Sequence, residues 1–498
     1  MTRRRFLVAP LAALLASAAM LRAEEFPVTA AADFQAAVNS AGPDDVVTVG
    51  PGTWNDVRIR VNHGGTEDHP LVIRCENPGE TVLGGDSFLE INAPHVTVDG
   101  LFFHKGAMAG RNDLGVITFS SHHGIVRNTA IVDFNPRSVD TAYYWVLFNG
   151  DNNLLDHCYF KGKNNLLPTI GNALDKSRGN TVLRCHFKNI PFDTANGREC
   201  IRVWGEGKFD PKDRGGAYFT IRENLFEDAD GEGAEIISLK SNHNGVISNT
   251  VISTMGCINI RRGEHNTVEG NIILGKGKQG AQGIRVAGAH NAVRGNYISG
   301  CESGFRIMAG EFIQYRLSGG YQLQIKAGAK KHKPGSIGLV PTYPQVKELE
   351  LTGNVCAANS GPDLDLGFGY RKHWPHKQIV LLPEECLFKE NRFVRPRGGD
   401  SLIGVLADNE PFLSQFNFKP NLFENNVLVG GTNAYPPADD GCRTVPLPAG
   451  WTEAQERAAF RPLTPEEVGP PWVAALRKAG KFPMEQEDSR ARKAAGGQ

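Results

Sequence analysis

Lys240 ends a short acid-bearing run, Asp230-Gly-Glu232-Gly-Ala-Glu235-Ile-Ile-Ser-Leu-Lys240. Twenty-one residues later an arginine pair opens Arg261-Arg262-Gly-Glu264-His265. An amine held near a second cation gives up its proton more readily, because like charge disfavours the ammonium form. A neutral amine is what a lysine needs to remove a proton from carbon. From Lys240 to Lys333 there are thirteen Lys or Arg and four Asp or Glu, an excess of nine in a chain of formal net charge zero. Such a segment attracts a polyanion if its charges share one stripe. The bland alternative is two unrelated surface cations on a solvated basic face. Aromatic residues are sparse here, which argues against nucleic acid, whose bases need rings to stack on.

These residues meet only if about 21 residues make one turn of the fold. The chain repeats one phrase, a short alternating strand, a turn with Asn or Gly, and a second short strand. Phe219-Thr-Ile-Arg-Glu-Asn224-Leu-Phe, Gly245-Val-Ile-Ser-Asn249-Thr-Val-Ile, Asn266-Thr-Val-Glu-Gly-Asn271-Ile-Ile and Asn291-Ala-Val-Arg-Gly-Asn296-Tyr-Ile are consecutive copies. The turn asparagines are 25, 22 and 25 residues apart. Asparagine tolerates the left-handed backbone of a tight turn, and stacked amides bond along a column. A period of this size with short strands predicts an all-β solenoid, a single-stranded right-handed parallel β-helix, over a β-sandwich. Its outward side chains line a long groove suited to a polymer. A helix over 31–40, with Phe34, Ala37 and Val38 at helical spacing, is expected to cap the first coil.

A chain of 498 residues would ordinarily hold two or more domains, but a solenoid grows by stacking. We place the β-helix at 24–432, interrupted by an excursion over 310–346. An irregular extension covers 433–498, with a disordered tail from Glu485. Residues 1–23 form a leader, in which Thr2-Arg3-Arg4-Arg5-Phe6-Leu7 precedes an apolar run too short to span a bilayer. The pattern resembles a twin-arginine signal and favours that route over an ordinary secretory one. Either implies export, to the periplasm or beyond, and no later segment reads as a membrane span. Nine cysteines contain no Cys-x-x-Cys, so zinc-ribbon and thioredoxin chemistry are unsupported. Within strand-like runs they read as small buried hydrophobes; export allows disulfides without requiring them.

Three segments carry a resemblance to a known family. Glu235-Ile-Ile-Ser-Leu-Lys240-Ser, Ile260-Arg261-Arg262-Gly and Asn196-Gly-Arg-Glu-Cys-Ile-Arg202 resemble segments of polysaccharide lyase family six, the alginate lyase and chondroitinase B group. The resemblance runs from about Phe26 to Trp472. It implies cleavage of a uronate polymer by β-elimination, with Lys240 as general base and Arg261 as general acid. Arginine keeps its protons, so the alternative is that Arg261 stabilises the leaving oxygen while water protonates it. It also implies Ca²⁺ held by Asn196, Glu232 and Glu235. The family pattern is Glu-x-Glu, which places both carboxylates on one face of a strand. Here Glu232-Gly-Ala-Glu235 would point them to opposite faces, unless a bulge at Gly231 or Gly233 absorbs the extra residue. Arg285 and Arg306, in Gly283-Ile-Arg285-Val and Gly304-Phe-Arg306, look like the alginate-cleaving branch and suit carboxylate clamping. Arg262, His265 and His290 are lesser substrate-side candidates. The competing readings are a dermatan sulfate lyase, a non-catalytic polysaccharide-binding β-helix, and a glycoside hydrolase. The last needs a carboxylate pair about the scissile bond.

Overall fold

The computed structural model describes residues 23–111, 113–173, 177–194, 196–205, 216–312, 343–372 and 378–482. Nearly all of the leader, most of the 310–346 excursion and the 485–498 tail lie outside the described residues. Three long sheets of 14, 13 and 14 strands run the length of the molecule. Each strand pairs in parallel with its counterparts one coil before and one coil after. Leu225–Ala229, for example, lies between His186–Ile190 and Thr250–Ile252. The protein is a parallel β-helix. Alternation along three-residue strands sends Val182, Ile221, Val246, Val268, Val293 and Leu351 inward in one fully buried column. Aromatic rings stack along the axis in the same way, Phe187 on Phe226 at 4.6 Å and Phe119 on Phe148 at 4.8 Å.

The repeated asparagines form a ladder. From Asn224 through Asn249, Asn271, Asn296, Asn354 and Asn391 to Asn426, each side-chain N–H donates to the next side-chain oxygen at 2.9–3.0 Å. The left-handed residue of the turn is the one before each asparagine: Glu223, Ser248, Gly270, Gly295, Gly353, Glu390 and Asn425 all have positive φ. The ladder asparagines are therefore selected for their side chains, which need an ordinary backbone to turn inward. Asn249 makes the point. It donates to Ile221 O and Asn271 Oδ1, and accepts from the backbone and side-chain N–H of Asn224. Asn249→Ala leaves several of these fully buried groups unpaired, and should cost about 2–4 kcal/mol in urea unfolding with little change in m.

Both ends are covered. The helix Ala31–Ser40 buries Phe34 and Val38 over the first coil. Its Gln35 donates to Arg60 O and accepts from Arg60 N, closing part of an exposed strand edge. At the other end one more strand, Cys442–Val445, joins the third sheet beyond residue 432. The extension then runs back along the outside of that sheet. Phe460 packs on Tyr297 at 4.9 Å, Leu463 N donates to Thr250 Oγ1, and Trp472 Nε1 donates to Asn128 O. Val473 and Phe482 are buried against Phe102 and Tyr159. The expected irregular tail is, over its described part, a strap covering an otherwise exposed apolar face. All nine cysteines are unpaired. No helix of the described residues is long and apolar enough to cross a membrane.

Candidate active site

The 13-stranded sheet carries the charged coils on its outer face. Ile201–Trp204, Glu235–Lys240, Gly256–Ile260, Ala281–Val286 and Phe305–Met308 are successive strands in it. Trp204 pairs with Lys240, and Leu239 with Ile260. The next step of that register puts Arg261 beside Lys240, and Arg261 N donates to Leu239 O at 2.9 Å. One row over, Ser238, Asn259, Arg285 and Arg306 stand in line on four coils. A cavity of about 430 Å³ opens there, lined by Thr194, Asn196, Trp204, Glu232, Ala234, Glu235, Lys240, Arg261, Arg262, Arg285 and Tyr343.

Three carboxylates converge, Glu232 and Glu235 in the cavity lining and Glu199 against them. One oxygen from each of Glu199, Glu232 and Glu235 lies within 4.8 Å of the others. Glu199, only 1% exposed, accepts from Lys240 Nζ at 3.1 Å and lies 3.5 Å from Arg202 Nη1. Glu235 accepts from Arg285 Nη2 and Asn259 Nδ2, both at 2.7 Å, with Arg261 Nε at 3.6 Å. Glu232 accepts the backbone N–H of Gly197 at 2.6 Å and of Arg198 at 3.3 Å. Burial, with Glu199 and Glu235 close by, pushes the Glu232 carboxyl up to about 7.

The extra residue between Glu232 and Glu235 is absorbed in a turn. Gly231 and Gly233 both have positive φ, and Gly233 N donates back to Asp230 O at 2.8 Å. A Cβ on Gly231 would lie 2.3 Å from Arg198 O, so only glycine fits. The strand begins at Glu235, and strand alternation does not apply to Glu232. The register shift falls between Glu235 and Ile237, past the glycines where a bulge was expected.

The cations lie against aromatic faces. The Trp204 ring has Lys240 Nζ at 4.8 Å, Arg262 at 5.2 Å and Arg202 at 5.5 Å from its centre. The Arg261 guanidinium stacks on Tyr343 at 3.9 Å. Asn196 lines the cavity with Glu232 and Glu235, whereas Arg306 and His265 do not line it. Arg306 lies one coil beyond Arg285, over Phe368 and donating to Gln282. His265 is exposed on a turn, stacked between His243 and His290 at 5.0 Å from each. The sequence reasoning passed over Glu199, Trp204, Asn259 and Tyr343. Glu199 stood inside the segment Asn196-Gly-Arg-Glu-Cys, where the buried charge was the available signal. Tyr343 lies within the 310–346 excursion, and no repeat spacing leads to it.

The chondroitinase B family profile matches residues 28–307. No curated protein matches the chain. A mannuronic acid specific polysaccharide family 6 lyase from human gut microbiota shares the fold, with a TM-score of 0.71 at 23% identity over 91% of this chain and 98% of that one. The PL6 family polysaccharide lyase of Pseudopedobacter saltans superposes with a TM-score of 0.78 at 37% identity, covering 89% of this chain and 98% of its own. With more than half of the chain matched by the profile and more than a third of aligned residues shared with that enzyme, the chain belongs to polysaccharide lyase family six, the chondroitinase B family, and is a polysaccharide lyase.

Proposed function

We propose that the substrate is alginate and that the reaction is β-elimination to a 4,5-unsaturated uronosyl end, with Lys240 removing the C5 proton. The observation that carries this reading is the register that sets Lys240 beside Arg261 on the wall of a cavity lined by Glu232 and Glu235, with the buried Glu199 against both. Arg261 stabilises the negative charge developing on the departing O4. Arg262 and Arg285 face the same space and suit carboxylates of neighbouring uronates, with Arg306 one coil further along. An arginine at position 285 supports alginate over dermatan sulfate.

Asn196, Glu232 and Glu235, joined by Glu199, would hold Ca²⁺. The donor set fits: every candidate donor is an oxygen, as a hard cation prefers. A dication would offset the burial and the neighbouring carboxylates that raise the Glu232 carboxyl. Asn259 gives its N–H to Glu235 and keeps a buried side-chain oxygen without a partner. A bound Ca²⁺ would draw charge from the uronate carboxylate and so acidify the C5 proton. The arginine-rich leader supports export to the periplasm or beyond. Arg3→Lys with Arg4→Lys should retain the protein in the cytoplasm on cell fractionation.

The test is ultraviolet absorbance during incubation with poly-mannuronate, poly-guluronate or dermatan sulfate. Unsaturated ends absorb and hydrolysis products do not. Growth of absorbance with either alginate block supports the reading, while absorbance with dermatan sulfate alone replaces the substrate. Silence with all three removes the reaction. Prior chelation should lower turnover at least tenfold, with recovery on added Ca²⁺; unchanged turnover removes the metal.

A further inference from the structure

We propose that His95, His122 and His123 form a binding site for a borderline divalent cation of the Zn²⁺ type, separate from the carboxylate cavity. His95 and His123 occupy the same turn position on consecutive coils, both with positive φ, and His95 N donates to His122 O. Their rings stack at 5.0 Å with an interplanar angle of 6°. His122 turns in edge-on, its Nδ1 2.8 Å from His123 Nδ1. One ring nitrogen of each lies within 4.8 Å of the other two. Neutral imidazoles gather without the Coulomb cost of clustered carboxylates. Three of them with a fourth position open to water suit Zn²⁺, Ni²⁺ or Cu²⁺ over Ca²⁺.

The molecule contains its own control. His243, His265 and His290 stack on a later stretch of turns with the same 5.0 Å spacing. There the preceding residues are Asn242, Glu264 and Ala289, and among the described residues no metal-compatible group forms. Stacking alone does not make the site; the additional ring of His122 does. The cation would tie two adjacent coils together. The His122 coil lies four strands before that of Lys240, roughly 19 Å along the axis.

Metal-stripped protein and His122→Asn should be titrated with Zn²⁺ by calorimetry and with Cu²⁺ by electron paramagnetic resonance. The wild type should bind one more equivalent than the variant, with several imidazole nitrogens coupled to copper. Zn²⁺ should raise its melting temperature more than the variant's, at equal lyase turnover. Equal stoichiometry in the two proteins, or a copper spectrum without imidazole coupling, overturns the site.

A second inference rests on other residues and on the proposed β-elimination. We infer that Tyr343 hands the proton to O4. The departing oxygen needs a proton, and the Arg261 guanidinium does not release one. Among the described residues, Thr194 and Tyr343 carry the hydroxyls of the cavity wall, and a phenol is by far the stronger acid. The Tyr343 ring lies against Arg261 at 3.9 Å. Its backbone is pinned, with Tyr343 O accepting from Glu311 N and Pro344 O from Gly288 N. In the step, the Lys240 amine takes the C5 proton and the C5–H electron pair becomes the C4–C5 π bond. The C4–O4 pair leaves on oxygen, which takes the Tyr343 hydroxyl proton. The phenolate rests beside Arg261 until it takes a proton from solvent, to which the Lys240 ammonium returns the C5 proton, so both groups are reset.

Tyr343→Phe keeps the ring against Arg261 and removes the proton. It should lower kcat on polymer about 100-fold, with KM within about twofold. On a uronate carrying a nitrophenyl ether at O4, whose leaving group needs no proton, it should change kcat little. Full kcat on polymer, or an equal loss on both substrates, overturns the role of Tyr343. A wild type that yields no unsaturated product defeats the reaction itself, and this inference with it.

Discussion

Lys240→Ala and Lys240→Arg should both lose about 1,000-fold in kcat on the polymer, read as unsaturated product, while Lys240→Arg stays folded. The two variants separate charge from basicity. Lys240 Nζ donates to the buried Glu199 and lies over Trp204, so its positive charge has a place in the wall. Arginine keeps that charge and cannot become a neutral base. If Lys240 served only to attract the substrate or to balance Glu199, the arginine variant would retain most activity. If it abstracts the C5 proton, the variant loses about 1,000-fold whatever its stability, in the middle of the range for a lost general base. More than a tenth of wild-type turnover in Lys240→Arg would sink the assignment. Alanine adds a structural effect, since Glu199 then keeps Arg202 as its charged neighbour. Thermal unfolding of both variants tells that effect from chemistry.

The coil was legible because a β-helix writes its period into the chain. Asn224, Asn249, Asn271 and Asn296 recur at the interval at which their amides must meet, and the structure joins them in one ladder. The same interval brought Lys240 to Arg261, since no excursion intervenes between the two. Where an excursion does intervene, arithmetic fails. Trp204 pairs with Lys240 from 36 positions away, and Tyr343 reaches Arg261 from 82. Turn chemistry was legible only in part. The need for a left-handed residue was read from asparagine, whereas Glu223, Ser248 and Gly270 supply it one position earlier. The turn at Gly231 and Gly233 was invisible to an argument from strand alternation, because Glu232 is not in a strand. The apolar face beneath Val473 and Phe482 gave no separate signal, since a covered outer face reads like more core.

Glu199→Gln should remove most turnover and about 3 kcal/mol of stability, although glutamine has almost the same shape. Glu199 is 1% exposed and lies between Lys240 and Arg202, themselves 14% and 11% exposed at the side chain. An amide oxygen still accepts a hydrogen bond but no longer balances charge. Two cations are then left facing one indole ring, and Arg202 Nε is already buried without a partner. Removing one side of a buried ion pair commonly costs 3–5 kcal/mol, and partial exposure places this case at the lower end. The double variant Glu199→Gln with Lys240→Met divides the effect. It deletes one stranded cation, so urea unfolding should return about half of the lost stability, a coupling that a double-mutant cycle reads directly. Turnover should not return, because the base is gone. Wild-type turnover in Glu199→Gln would show that the carboxylate only holds the wall. Lost turnover with wild-type stability would place it in the chemistry alone. Loss of both, with stability alone restored in the double variant, means that one buried carboxylate serves the wall and the reaction together.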